Sequence, residues 1–305
     1  MSEYVFSPRI GFIGAGKAGT SLGKLFVDNG QKVAGYYSRT PESARYAASF
    51  TDTLYYESIE KLINDCDMIF LTVPDSAIRE VWSFVSECDI SGRIICHCSG
   101  AMASSIFSGH DDPSVSYYSI HPMYAISSRE TGYVGLGDAV FSIEGSAGRL
   151  DEITNWLKSF IKNVVTISAD NKTLYHAAAV FASNLVTGLY FDACKLLSEC
   201  GFSDEQAQLA LGKLFEGNCR NVIEKGPVDA LTGPVERNDV KTIREHIMKL
   251  KEYSQKEDSD DSEQNTSCKN LLNIYRSLSQ SLVEIGSIKH PEYDYTEIIN
   301  ILNSK

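Results

Sequence analysis

The sequence predicts an α/β protein: an N-terminal domain on a mostly parallel sheet, followed by an all-α C-terminal domain. Three observations predict it. Short apolar runs alternate with amphipathic stretches over the first half, a glycine-rich loop joins the first such pair, and strand signals cease beyond Asp170. A chain of 305 residues also suits two domains of ordinary size better than one.

Ile10–Ile13 reads as the first strand, Lys17–Asp28 as a helix and 32–37 as the second strand. Helix 42–49, strand 54–56, helix 58–64 and strand 68–73 follow. Strand, helix, strand at this spacing means βαβ units, hence parallel pairing with right-handed crossovers. Helix 75–86, strands 93–97, 115–119 and 139–143, helix 150–161 and strand 164–167 complete the domain. After it, 171–199, 203–224, 240–252 and 268–284 all read as helices. The expected division is therefore 1–168 and 169–305. Residues 255–267 (QKEDSDDSEQNTS) carry no apolar periodicity and read as a flexible, solvated loop.

A hydrophobic fraction of 43% with 22% charged residues allows a core in each half. The net charge of −12 opposes a nucleic-acid partner, since no local basic patch offsets the repulsion of phosphates. No apolar run approaches the roughly 20 residues of a membrane span, and residues 1–9 lack the regions of a signal peptide. The expectation is a cytoplasmic protein with no membrane partner. Eight cysteines without framework spacing read as reduced thiols. Cys96-His97-Cys98 ends an apolar run that reads as a strand, where alternate side chains point to opposite faces, so no metal site is expected there.

Gly14-Ala15-Gly16-Lys17-Ala18-Gly19 follows the first strand and opens a helix. The glycines allow a tight turn, a close approach to pyrophosphate and close packing of helix on strand, with phosphates at the positive helix N-terminus. In its β-loop-α-β setting the fingerprint predicts a dinucleotide-binding Rossmann domain. An acid at the end of the second strand would favour NAD, but none lies between Asp28 and Glu42. Ser38-Arg39-Thr40 instead offers a guanidinium and two hydroxyls to a 2′-phosphate, which favours NADP. The alternative is a solvated Arg39 stacking on adenine without phosphate discrimination.

With these residues in place the chain resembles the Rossmann-like family whose second domain is the helical module DUF2520. The wider group includes pyrroline-5-carboxylate reductase, 6-phosphogluconate dehydrogenase and the β-hydroxyacid dehydrogenases. The resemblance rests on the glycine loop and on Leu71-Thr-Val-Pro-Asp75, His97-Cys-Ser-Gly-Ala101 and Ser119-Ile-His-Pro-Met123. It also rests on Tyr175-His-Ala-Ala-Ala-Val-Phe-Ala-Ser-Asn184 and Ala230-Leu-Thr-Gly-Pro-Val-Glu-Arg-Asn-Asp239. It implies an NADP-type domain, an all-helical second domain and a homodimer packed through the helices. It names no substrate.

Ligands of open α/β sheets lie beyond the carboxyl ends of the strands, which groups Thr72, Val73 and Pro74 with Ser99, Gly100 and His121. Thr72 to Pro74 are expected to line the cofactor, and the Ser99-Gly100 turn to offer a hydroxyl and amides to a substrate oxygen or to be a plain strand end. Hydride transfer to a carbonyl or imine needs a proton donor, for which His121 and His176 are candidates, each also readable as a structural histidine. Asn184, eight residues after His176, would share its helix face, and Lys172 near the helix start reads as exposed. The β-hydroxyacid dehydrogenases carry a catalytic lysine on this helix; aligned through Ser183-Asn184, Ala179 stands in its place. Thr232 and Arg237 could reach the substrate, with Arg237 gripping an acidic group or else closing an internal salt bridge, and Asp239 reads as a helix cap.

The reading that follows is an NADP(H)-dependent oxidoreductase reducing a small carbonyl or imine bound between the domains. A non-catalytic dinucleotide sensor or partner-binding protein is the alternative, motivated by the missing lysine. A ligand-free scaffold would leave the intact glycine loop unexplained.

Overall fold

A computed structural model describes residues 6–110, 112–256 and 265–304, and of 255, 256 and 265–269 the helical backbone alone. They form two compact units, Met1–Ser183 and Asn184–Lys305.

The first unit runs β1 (Ile10–Ile13), α1 (Lys17–Asp28), β2 (Val33–Tyr37), α2 (Pro41–Thr51), β3 (Leu54–Tyr55), α3 (Ile59–Asp65) and β4 (Met68–Leu71). It continues with α4 (Asp75–Val85), β5 (Ile94–His97), β6 (Ser116–Pro122), β7 (Val140–Gly145), α5 (Leu150–Lys158), β8 (Asn163–Thr166) and α6 (Lys172–Phe181). The strands make one sheet in the order β3-β2-β1-β4-β5-β6-β7-β8, parallel everywhere except between β6 and β7. The apolar strands β1, β4 and β5 are buried at every residue, as parallel strands covered on both faces must be. One face packs Phe12, Tyr36 and Phe70 against Phe26 of α1; the other packs Ile69, Leu71 and Ile95 against Ile78 and Trp82 of α4.

Local signals set the helix starts. Pro41 occupies the first turn of α2, and the Ser58 hydroxyl accepts from the Lys61 amide to cap α3. Register then aligns the strand ends: Tyr37, Ile13, Leu71, His97 and Ser119 form one row across five strands. Gly14, Ser38 and Thr72 lie just past that row, which is how βαβ connections place ligand contacts on one edge.

The structure departs from the sequence reading in several places. The strand read at 115–119 runs on to Pro122, because β7 pairs His121 with Ser142 and Pro122 with Phe141. The helix read at 171–199 is two helices, α6 and α7 (Asn184–Glu199). Ser183 Oγ donates back to the Ala179 carbonyl at 2.7 Å, a bond that competes with the helical ladder where it breaks. The shared-face argument for His176 and Asn184 assumed one continuous helix and does not apply. Finally, the first unit ends after Ser183 rather than Ser168, because α6 carries side chains that pack on the sheet.

The second unit holds α7, α8 (Asp204–Ala230), α9 (Val240–Lys256), α10 (Asn265–Lys289) and α11 (Thr296–Asn303), the last of which the sequence reading had missed. Its core is Ile243, Ile247, Leu272, Val283, Tyr295, Ile298 and Leu302. A capping box between Ser203 and Gln206 starts α8, and Gly226-Pro227 kinks it near its end. Thr242 N and Oγ1 both donate to Asp239, which therefore caps α9 as expected. The loop read at 255–267 falls mostly outside the described residues, its two ends being helical backbone.

Helices α7 and α8 bury little: α7 has no buried residue, α8 only Ala207 and Ala230, while Leu209 is 79% and Ile223 82% exposed. Among the described residues, the segment Ala169–Glu199 has the length and mean hydropathy, 1.3, of a bilayer span, which the sequence reading did not expect. It is broken at Ala182-Ser183, and its first part carries Lys172, Tyr175 and His176, which belong to the polar site below.

Candidate active site

The glycine loop forms the first wall of a cleft of about 550 Å³ at the carboxyl edge of the sheet. Gly14 has φ +109°, and a Cβ there would stand 2.7 Å from the Thr72 carbonyl. A Cβ on Gly19 would stand 2.3 Å from the Gly14 carbonyl oxygen and 2.5 Å from Thr72 Oγ1, so α1 packs on the strand only with glycine here. A Cβ on Gly16 would meet nothing within 4 Å, so open space faces the N-terminus of α1. Thr72 Oγ1 donates to the Gly14 carbonyl at 2.7 Å and fastens the loop. This cradle fits a pyrophosphate: amides and the positive helix end face an opening that only a residue without a side chain leaves.

Ala15, Gly16, Ser38, Arg39, Thr40, Thr72, Val73 and Pro74 line the cleft with Gly14. Lys17, Ala18 and Gly19 do not line it, since they form the first turn of α1 behind the loop. Arg129, from the segment between β6 and β7, also lines it and was missed. Nothing in spacing connects a loop arginine to a strand end about 90 residues earlier.

Beyond Pro74 the cleft wall continues into a polar cluster. Asp75 Oδ2 accepts from Ser99 Oγ at 2.7 Å, and Ser99 Oγ accepts from the amides of Ala101 and Met102. The Ser99 amide donates to His97 Nδ1 at 3.2 Å. Ser99 therefore holds the turn together: its hydroxyl and amide, which the sequence reading offered to a substrate, are committed within the protein, and the side chain is buried.

The turn presents Gly100 to two imidazoles. A Cβ on Gly100 would lie 2.7 Å from His176 Nδ1 and 2.9 Å from His121 Nε2, so both rings converge on this glycine. His176 Nδ1 is buried without a hydrogen-bond partner. His121 Nδ1 lies 2.9 Å from the Tyr175 hydroxyl. Burial, then the nearby Lys172 and His176, lower the His121 pKa to about 4, and burial lowers His97 likewise to about 4. Burial raises the Tyr175 pKa. The pair is thus a neutral imidazole and a phenol; the phenol is the stronger acid and donates to Nδ1, which leaves the His121 proton on Nε2, facing Gly100.

Lys172 was expected to be exposed and is instead 1% exposed, its ammonium without a hydrogen-bond partner. Its place at the first residue of α6 turns it inward over the sheet, with Nζ 5.4 Å from the centre of the Tyr175 ring. Burial lowers its pKa, offset in part by Glu144, Cys98 and Asp75. Glu144 is itself buried and accepts from Ser104 N and Oγ at 2.7 and 2.8 Å. The α6 residues Lys172, Tyr175 and His176 thus lie close to His97, His121 and Glu144. Asn184, Thr232 and Arg237 belong to the second unit; Thr232 and Arg237 are exposed on the segment before α9.

Neutral burial of His97 and His121 carries a pH signature. The unfolded chain takes up their protons below about 6.5 and the folded chain only near 4, so stability is full above pH 6.5 and falls as pH drops toward 4. The expected loss is about 3 kcal/mol for each histidine, most of it by pH 5. Denaturant midpoints at pH 7, 6 and 5 measure it, and a constant midpoint over that range would contradict the neutral assignment.

Residues 9–106 match the family described as NADP oxidoreductase, coenzyme F420-dependent, and residues 139–282 match DUF2520, a domain of unknown function. The two matched segments adjoin the glycine loop at one end and the helical unit at the other, the arrangement that the sequence resemblance implies. Among solved structures, the chain is similar to the "putative NADP oxidoreductase BF3122" of Bacteroides fragilis, at 25% identity and TM-score 0.67, covering 92% of this chain and 100% of that one. It also shares its fold with an imine reductase from a Pseudomonas species, at 15% identity and TM-score 0.60, covering 94% and 100%. A pyrroline-5-carboxylate reductase of Coxiella burnetii matches at 11% identity and TM-score 0.56, covering 94% and 98%. No curated protein sequence matches it. The match over residues 9–106 and the Bacteroides neighbour support an oxidoreductase of the NAD(P)-dependent class.

Proposed function

We propose that this protein is an NADPH-dependent reductase of a small carbonyl or imine compound. The observation that carries the reading is the convergence of His121 Nε2 and His176 Nδ1 on Gly100, at the same sheet edge as the dinucleotide cleft and joined to it through Pro74 and Asp75. The cofactor, when bound, supplies the hydride.

The chain supplies the polarising hydrogen bond and the proton. His121 Nε2–H donates a hydrogen bond to the substrate oxygen or nitrogen and so polarises the double bond toward hydride. A neutral imidazole cannot give up that proton alone without becoming an imidazolate. Transfer from Nε2 coupled to transfer from the Tyr175 hydroxyl to Nδ1 avoids that state: the substrate gains one proton, His121 stays neutral and the charge ends on the phenolate. The ammonium of Lys172 beside the Tyr175 ring favours that charge. Tyr175 then regains its proton from solvent. Tyr175 and Lys172 thus join His121 and His176 as the residues of the chemistry, with Ser99 and Gly100 setting the turn. Asn184, Thr232 and Arg237 remain candidates for contacts with substrate.

NADP rather than NAD is proposed from Ser38, Arg39 and Thr40 in the cleft. Titration calorimetry with NADPH, NADP, NADH and NAD tests it: Arg39→Ala weakens NADPH by about tenfold or more and leaves NADH unchanged, and equal losses would sink the assignment. Oxidation of NADPH with some member of a carbonyl, imine and keto-acid panel separates the reductase from a sensor, which binds the cofactor and never turns over.

The exposed apolar faces of α7 and α8 support a homodimer packed through the helical unit. Ile223→Lys with Leu209→Lys is expected to yield a monomer by light scattering, with NADPH affinity retained; an unchanged mass would remove these faces from the interface. The free cysteines among the described residues support a reducing, cytoplasmic setting.

A further inference from the structure

The segment between β6 and β7 reaches across the first unit to the rim of the dinucleotide cleft. It is anchored there. Ser21 Oγ donates to the Ser128 carbonyl, Ser128 Oγ accepts from the amides of Glu130 and Thr131, and the Tyr46 hydroxyl of α2 donates to Glu130. These contacts present Arg129 to the end of the cleft that Ser38, Arg39, Thr40 and Ser43 line. Its Nη2 donates to Ser43 Oγ at 3.4 Å, and its guanidinium lies 5.8 Å from the centre of the Tyr46 ring.

Neither Arg39 nor Arg129 forms an ion pair among the described residues. Carboxylates are near: Glu130 accepts from Tyr46 and Ser128, Glu42 lies 3.9 Å from Arg45, and Glu80 lines the same cleft. In a chain of net charge −12, two arginines with no carboxylate at ion-pair distance, Arg129 having only the longer-range attraction of Glu130, make one end of the cleft a local cationic spot. The α2 N-terminus at Pro41 adds its positive end beside them.

We propose that Arg129 is the second arginine of a two-sided seat for the 2′-phosphate of NADP(H), facing Arg39 and completed by the hydroxyls of Ser38, Thr40 and Ser43. The proposal rests on the NADP reading above. Arg39 follows β2 and is exposed, with no bonded neighbour to fix it. Arg129 is half-buried and held by Ser43 and Tyr46, so it meets the phosphate with less conformational freedom to lose. A dianionic phosphate accepts forked hydrogen bonds from both guanidiniums, whereas a 2′-hydroxyl engages neither as an anion would.

The test is titration of the full chain with NADPH, NADH, adenosine 2′,5′-bisphosphate and 5′-AMP, for the wild type, Arg129→Ala, Arg129→Lys and Arg39→Ala. Arg129→Ala is expected to weaken NADPH and the bisphosphate by about tenfold or more, with NADH and 5′-AMP within about twofold of wild type and Arg129→Lys recovering part of the loss. An unchanged melting temperature for Arg129→Ala shows that the loop holds. If Arg129→Ala keeps full NADPH affinity while Arg39→Ala loses it, the second arginine is overturned and the NADP reading stands. Equal losses of NADPH and NADH also overturn it, because they place Arg129 on the adenine or pyrophosphate. A wild type that binds NADPH and NADH equally removes the NADP reading and the proposal with it.

Discussion

His121→Asn lowers turnover by about 10²–10⁴-fold and leaves NADPH affinity close to wild type. The two halves of that result have separate causes. His121 does not line the dinucleotide cleft, so cofactor contacts survive. Its Nε2–H faces Gly100 and is the donor that Tyr175 holds in place through Nδ1. Asparagine keeps a polar amide but has neither the reach nor the second nitrogen that couples to the phenol. Tyr175→Phe should fall in between, since it removes the coupled proton and leaves the imidazole. Stopped-flow or steady-state NADPH oxidation, paired with calorimetry of cofactor binding, measures both. A His121 variant of normal turnover would move the proton donor elsewhere, to His176 or Lys172.

The second large effect belongs to the glycine loop, where two glycines make opposite demands. Gly19→Ala pushes a methyl group into the Gly14 carbonyl and Thr72 Oγ1, both fixed by the sheet, so the helix must shift. Such overpacking costs about 1–3 kcal/mol of stability, and the displaced loop is expected to lose dinucleotide affinity by about tenfold or more, the equivalent of 1.4 kcal/mol. Gly16→Ala meets nothing within 4 Å and should melt as the wild type does. It fills the space that the pyrophosphate needs, so affinity falls without any loss of stability. Thermal melts and calorimetry of the two variants side by side distinguish a packing glycine from a ligand glycine. Full affinity in Gly16→Ala would mean the dinucleotide does not cross the N-terminus of α1.

Much of the first unit was legible because βαβ chemistry is local. The glycine loop, the strand ends at Thr72 and His97, and the absence of an acid after β2 are each read within a few residues. The cap at Asp239 was legible for the same reason: a side chain bonding to the amide three residues on needs no tertiary context. Helix continuity at 182–183 was not, because an apolar run looks unbroken until a serine hydroxyl is seen bonding backward.

The side chains of the candidate site divide along the same line. Sequence alone determined which elements end at the carboxyl edge of the sheet, where Gly14, Arg39 and His121 stand. Only the tertiary structure decided that Ser99 is spent on Asp75 and two amides, that Lys172 points inward, and that Tyr175 completes His121. It alone decided that Arg129 lines the same cleft as Arg39. The physical reason is the same in each case. Spacing along a chain encodes which face of a helix or strand a residue occupies, whereas burial, hydrogen-bond partners and the pKa values that follow depend on which distant segment packs against that face.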